Sequence, residues 1–296
     1  VGEWTGQTGY DPITIVGRQL SAIADILTIL LVFLIALRLF DEKIGIIAAA
    51  LYAFAVLPIQ QSHFMTVDTF TNTFGMLTVY FAVVILTRPK PSLRDEAGQH
   101  LKLKVSDWLP YIAFGVGLGM ATASKINAAS LALLLPAVEL VRYFSLEQDQ
   151  REPYRSFSWR MVLLAAVVSV FIFRLGQPYA FQGPGLLGVR FNQEWIAGLR
   201  TLQQQSTGNV DFPPALQWTR RSLAFPYYNL VVWGLGIPLG VTALASLIGM
   251  GWAGIKGKQS KLLPIWGWTV FYLLWQTTAW VKAMRYLLLI YPLLAI

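Results

Sequence analysis

Of 296 residues, 55% are hydrophobic, 14% aromatic and only 13% charged, whereas soluble domains carry about 25% charged residues; a soluble globular domain is excluded. The apolar residues come in long blocks, which rules out disorder and argues against nucleic-acid binding as the meaning of the net charge of +8. The composition defines an all-α, polytopic transmembrane helical bundle, and an excess of Lys and Arg then reports first on loop orientation.

Runs poor in charge extend over Leu20 to Phe40, Ile44 to Ile59, Val67 to Leu86, Trp108 to Ala123, Ala128 to Val141, Trp159 to Phe173, Leu230 to Trp252 and Leu263 to Trp280, with a shorter run from Tyr286. They predict eight spans and a partial ninth, several of them tilted or buried because they fall short of about 20 residues. The connections Phe40 to Ile44, Arg88 to Asp107, Arg142 to Trp159 and Ala253 to Leu262, with Arg38 and Arg160 at helix ends, hold 14 of the 23 basic residues. The positive-inside rule puts that set in the cytoplasm and the opposite connections outside. Among the latter is the long segment Arg174 to Asn229, broken by Gly183, Pro184, Gly185, Pro213 and Pro214. Within it, Asn192 to Gln205 sets Trp195, Ile196, Leu199 and Leu202 at helical spacing, which predicts an amphipathic helix lying at the interface. No linker divides residues 1–296, so one domain is expected. Val1 is not a start methionine and the run from Tyr286 stops after 11 residues, so the chain is expected to continue on both sides.

With no cysteine, disulfides, thiolate metal sites and a Cys nucleophile are excluded. There is no phosphate-binding G-x-x-x-x-G-K-[ST], no G-x-S-x-G elbow and no H-E-x-x-H, so nucleotide hydrolysis, serine hydrolysis and zincin chemistry lack support. No cofactor is called for, and a divalent metal has no ligand set. A phosphate site in this chain has to be built from cations and helix ends.

Asp68, in QQSHFMTVDTF, begins the third span on the outer side, where a carboxylate can take a proton from an acceptor hydroxyl. The same residue is also ordinary helix-start chemistry, with Thr66 as N-cap. Asp25 lies inside the first span, as a functional acid or as a structural one paired with a base such as Arg18. Lys125, in GLGMATASKINA, is a lone cation at an outer turn, able to hold a lipid phosphate or to snorkel; Arg285 and Lys282 lie on the same side, Lys282 more as a snorkelling residue. Arg174, Arg220, Arg221, Asp211 and Glu194 belong to the long segment, as clamps for an anionic substrate or interfacial anchors. His63 and His100 lie on opposite sides, without metal-ligand spacing, and His63 reads as a polar loop contact.

The strings GRQLSAIADILT (Gly17 to Thr28), AAALYAFAVLPIQQSHFMTVDTF (Ala48 to Phe70), GLGMATASKINAASLALLLP (Gly117 to Pro136) and RYLLLIYP (Arg285 to Pro292) resemble bacterial polyprenyl-phosphate-sugar glycosyltransferases. These belong to the broad GT-C class, with protein O-mannosyltransferases and the lipid A aminoarabinose transferase as relatives. The resemblance covers nearly the whole chain, although its motifs are loose hydrophobic strings. It implies a multispan enzyme of the bacterial cytoplasmic membrane that transfers sugar from a lipid-linked donor to a lipid, glycan or protein acceptor on the outer face. Asp68 matches an acid at the start of a later span, the Lys125 region matches the segment after it, and Arg285 matches a late basic residue near the carrier phosphate. Glu3 and Asp11 do not reproduce the family's first acidic motif, so the first acid is expected upstream of Val1. The expected site is therefore Asp68 as the catalytic residue, with Lys125, Arg285, Asp25, Arg174 and His63 binding substrate. The competing reading is a non-catalytic scaffold subunit among other membrane subunits; a transporter is weaker, since no paired broken helices occur in matching halves.

Overall fold

The computed structural model describes residues 1–90, 104–183, 185, 188–257 and 259–296. Most of the expected connection from Arg88 to Asp107, including His100, lies outside the described residues, as does Pro184.

Helix α1 runs over Tyr10–Leu39, with Asp11 in its first turn and Arg38 in its last, charges placed to suit the helix dipole. Asp41 then caps α2 (Glu42–Ala53), its carboxylate accepting from the Ile44 N–H at 2.9 Å. A bend of 62° separates α2 from α3 (Val56–Ser62). Pro58 accounts for it: it has no N–H to offer the Phe54 carbonyl, and its ring would collide with that group in a continuous helix. Helix α4 (Val67–Thr87) follows, and then α5 (Val105–Ser124), started by a reciprocal cap in which the Asp107 carboxylate accepts from the Lys104 N–H at 2.7 Å. A 3-10 segment, Ile126–Leu133, leads into α6 (Leu134–Phe144), and α7 spans Gln148–Gly176.

Two short strands, β1 (Phe181–Gln182) and β2 (Arg190–Phe191), pair antiparallel, Phe181 opposite Phe191. The amphipathic helix is present as α8 (Gln193–Thr207), capped by Asn192, whose side chain accepts from the Glu194 N–H, and ended by Gly208 at φ 75°. No residue of α8 is buried, as its interfacial pattern requires. The chain continues through α9 (Pro213–Leu216) and α10 (Ala224–Asn229), which runs into a π-helical turn, Leu230–Leu235. After these come α11 (Ile237–Ile255), α12 (Leu263–Thr278), a 3-10 segment at Met284–Ile290 and α13 (Tyr291–Ala295).

The count of eight spans and a partial ninth is not reproduced. Helical structure is present at every expected run, but among the described residues five helices are long and apolar enough to cross a membrane, or six with the bent α2–α3 pair taken as one. Helix α12 has 16 residues, too few at about 1.5 Å per residue for a hydrocarbon core of about 30 Å. Helix α5 is not among the five and packs between α4 and α7. Its glycines make that possible. A Cβ on Gly115 would lie 2.5 Å from the Ala165 carbonyl oxygen, one on Gly119 2.6 Å from that of Ser169, and one on Gly117 2.8 Å from the Thr78 hydroxyl. The connection expected from Arg142 to Trp159 is also shorter, because α7 begins at Gln148 and carries Pro153 inside its N-terminal part. Tyr154 and Phe157 are the buried side chains there; they give this polar stretch an inward face.

Candidate active site

Asp68 occupies the first turn of α4, where free N–H groups and the helix dipole favour a carboxylate. Thr66 is at the N-cap but makes no side-chain capping bond, and its hydroxyl is buried without a partner. What holds Asp68 is Lys125, the residue at which α5 stops and the chain turns extended (φ −156°, ψ 122°). The Lys125 Nζ donates to Asp68 Oδ1 at 2.5 Å, with the side chains 22% and 7% exposed. The same ammonium stands 4.6 Å from the centroid of the Tyr286 ring, and the Arg285 guanidinium stands 5.7 Å from it. Tyr272 on α12 fixes this segment by donating to the Tyr286 carbonyl at 3.2 Å. Lys125 and Arg285 therefore both stand against the Tyr286 ring, and Lys125 is not an unpaired cation. Arg285 is exposed.

Lys125 lines a cavity of about 940 Å³ that lies between the end of α5, the end of α12 with the segment after it, and α8. Leu199, Gln203, Ser206 and Thr207 of α8 form one wall; Gln276, Trp280, Lys282 and Tyr286 form the facing one. Gly208 closes the corner, its Cα so near Trp280 that a Cβ there would lie 2.5 Å from the indole. Lys282 does not snorkel. It is 8% exposed, and its Nζ donates to the carbonyls of Ala279 (2.9 Å) and Trp280 (3.4 Å) just past the C-terminus of α12, the end whose dipole favours a cation.

The other expected residues stand elsewhere. Asp25 is buried at the seam of α1, α2 and α4 and accepts from the Tyr52 hydroxyl at 2.7 Å, while Asn72 donates to that hydroxyl at 2.8 Å. Tyr52, not Arg18, is its recorded hydrogen-bond partner, and Asp25 does not line the cavity. His63 closes α3, its Nδ1 2.6 Å from the Ile59 carbonyl oxygen. Arg174 pins the hairpin loop, donating to the carbonyls of Gly188 (2.9 Å) and Gly185 (2.8 Å) and stacking on Phe181. Glu194 accepts from Tyr179, which raises that phenol's pKa above the ordinary tyrosine value. Arg220 and Arg221 lie together on the α9–α10 connection, Arg221 over Phe225. Among the described residues, no three His, Asp or Glu side chains gather in a way that would hold a metal ion.

One polar cluster has no counterpart in the sequence reading. At the other end of α6, Glu139 accepts from Tyr111 and Tyr154, each at 2.8 Å, and the Arg142 Nε donates to the Tyr154 hydroxyl at 2.7 Å. Arg142 also donates to the Ile85 and Arg88 carbonyls at the end of α4. The signal was an acid inside an apolar run, three residues before an arginine.

Three solved structures share this architecture. ArnT from Cupriavidus metallidurans bound to undecaprenyl phosphate matches with a TM-score of 0.55 and 17% identity, over 94% of this chain and 44% of that one. Apo ArnT gives 0.56 and 16%, over 94% and 43%. The Archaeoglobus fulgidus oligosaccharyltransferase in complex with zinc and sulfate gives 0.61 and 17%, over 99% and 38%. The chain thus spans less than half the length of each, and at these identities the likeness is one of fold, a membrane helical scaffold. No curated protein matches in sequence. A profile of the dolichyl-phosphate-mannose-protein mannosyltransferase family matches residues 6–177, and the chain belongs to that family.

Proposed function

We propose that the protein is a membrane glycosyltransferase that moves a sugar from a polyprenyl-phosphate carrier to an acceptor on the extracytoplasmic side. The observation that carries this reading is the cavity wall: an ammonium held at 2.5 Å by a nearly buried carboxylate, beside a second, buried ammonium, in a space of about 940 Å³. The acceptor oxygen attacks the anomeric carbon, the bond from that carbon to the phosphate oxygen breaks, and the phosphate leaves with one more negative charge than it had. Cations fixed beside that oxygen stabilise the transition state more than the ground state. Lys125 has this role, and Arg285 lies at the outer edge of the same aromatic ring to meet the carrier headgroup. Asp68 aims Lys125; when the ammonium turns to the phosphate, the carboxylate is left to take the acceptor proton. Family membership and the ArnT complex with undecaprenyl phosphate support a lipid-phosphate donor, the resemblance to bacterial enzymes favours a bacterial cytoplasmic membrane, and the distribution of basic residues supports an orientation with the cavity outside.

The test is transfer from a panel of labelled polyprenyl-phosphate sugars by membranes containing the protein. Asp68→Asn is expected to abolish transfer while the protein stays inserted. Wild-type turnover in that variant removes Asp68 from the mechanism, and no transfer from any donor by the wild type sinks the reading.

A further inference from the structure

Lys282 is a cation with no acid partner among the described residues, set in the wall of the cavity at 8% exposure. Two carbonyl oxygens hold it in place, but carbonyls carry no net charge, and a buried ammonium that lacks a counter-ion is expensive. Lys125, by contrast, has its charge matched by Asp68. Among the described residues no Asp or Glu lines the cavity. The polar atoms that face it otherwise belong to neutral amides and hydroxyls, such as Gln203, Ser206, Thr207 and Gln276. Such groups hydrogen-bond to sugar hydroxyls at no cost in charge. They offer nothing to an ammonium that water does not, and the uncompensated Lys282 repels one.

We infer that Lys282 is a specificity residue: the cavity takes a donor whose sugar carries no positive charge, neutral or acidic, and rejects a sugar bearing an ammonium group. The inference rests on the proposed function, since it presupposes that the donor enters this cavity. A cationic sugar held roughly 8 Å from Lys282 would, at an effective dielectric of about 20, bind about thirtyfold more weakly than its hydroxyl counterpart. Discrimination of this kind is a property of the wall and can be moved by changing one side chain.

The test is affinity of the full chain in nanodiscs for three probes: undecaprenyl phosphate alone, undecaprenyl-phosphate hexose, and the same donor with one sugar hydroxyl replaced by an amine. The hexose donor is expected to bind at least about tenfold tighter than the amino-sugar donor, and Lys282→Gln to narrow that gap whatever it does to the affinity for the carrier alone. Gln203→Glu, on an exposed helix face where folding is not at stake, is expected to restore the amino-sugar donor; it serves if Lys282→Gln fails to fold. Equal or tighter binding of the amino-sugar donor by the wild type overturns the inference and leaves the proposed function standing. A gap that neither variant narrows removes it from Lys282 and the cavity wall, which also overturns the inference. If none of the three probes binds, the inference and the proposed function fall together.

Discussion

The pair between Asp68 and Lys125 sets a measurable quantity. Asp68→Asn leaves an ammonium that is 22% exposed, and Lys125→Gln leaves a carboxylate that is 7% exposed. Removing one partner of a buried ion pair costs about 3–5 kcal/mol, because the survivor stays desolvated and uncompensated. Lys125 recovers part of its hydration through the cavity, so Asp68→Asn is expected to cost less, about 2 kcal/mol, and Lys125→Gln about 3 kcal/mol. In the double variant the two amides are neutral and can bond to each other; the cost is expected to be about 2–3 kcal/mol, well short of the two single costs together, giving a coupling of about 2 kcal/mol. Equilibrium unfolding of the four proteins in detergent micelles measures it. Transfer activity provides the second axis: the double variant should lose no more stability than Lys125→Gln alone and still show no turnover, since neither the cation nor the carboxylate is restored. A cycle that closes to within about 0.5 kcal/mol, the spread of independent sites, would show that the ion pair is not an energetic unit and that Asp68 is held by its own helix.

The packing of α5 predicts that Gly115→Ala, whose new methyl would meet the backbone of α7, lowers stability by about 1–3 kcal/mol. Gly267→Ala on α12, with nothing within 4 Å of the new Cβ, is the control and should be neutral or stabilising by up to about 1 kcal/mol; equal unfolding midpoints for the two would refute the close approach. Tyr52→Phe removes the donor to Asp25 and the acceptor for Asn72, and should cost about 1–3 kcal/mol for the polar groups left buried, read as a lower unfolding midpoint with donor affinity unchanged. Because the chain has no cysteine, single cysteines report topology directly. An impermeant thiol reagent applied to intact cells should label Cys placed at Ser206 and not at Glu147; the reverse result inverts the orientation.

Hydrophobic runs located each long apolar helix among the described residues, because burial in lipid or in the bundle demands apolar residues whatever the neighbours are. They did not separate helices that face lipid from helices that face other helices. Helix α5 reads as a span by its apolar content, yet its Gly115, Gly117 and Gly119 are there for contact with α4 and α7. The N-terminal half of α7 was hidden for the opposite reason: charges and Pro153 mask a face that needs only Tyr154 and Phe157 to be buried. Helix α8 was legible to within two residues at either end, since amphipathic spacing is a local property. Of the cavity lining, the sequence singled out Lys125 and Lys282, but not the pairing of Lys125 with Asp68. Lys125 and Asp68 are 57 positions apart, and no local pattern says that the end of α5 meets the start of α4. Lys282 was misjudged for a similar reason: a lysine near a helix end reads as one that reaches for water, and only the fold shows that α8 and Trp280 stand over it.

Helix α8 has no buried residue and is secured at its ends, by the Asn192 amide donating to the Tyr179 carbonyl at 3.0 Å and by Gly208 lying on Trp280. The wall opposite is anchored in the hydrophobic core through Tyr272. The two walls are therefore unequal as places for change. A substitution on the middle of α8, at Leu199 or Gln203, disturbs little packing and should alter stability by no more than about 0.5 kcal/mol, yet it alters the surface that the proposed donor meets. In the proposed reaction, donor choice can drift, or be redesigned, through one lightly held helix while Lys125 and Lys282 remain fixed by the bundle.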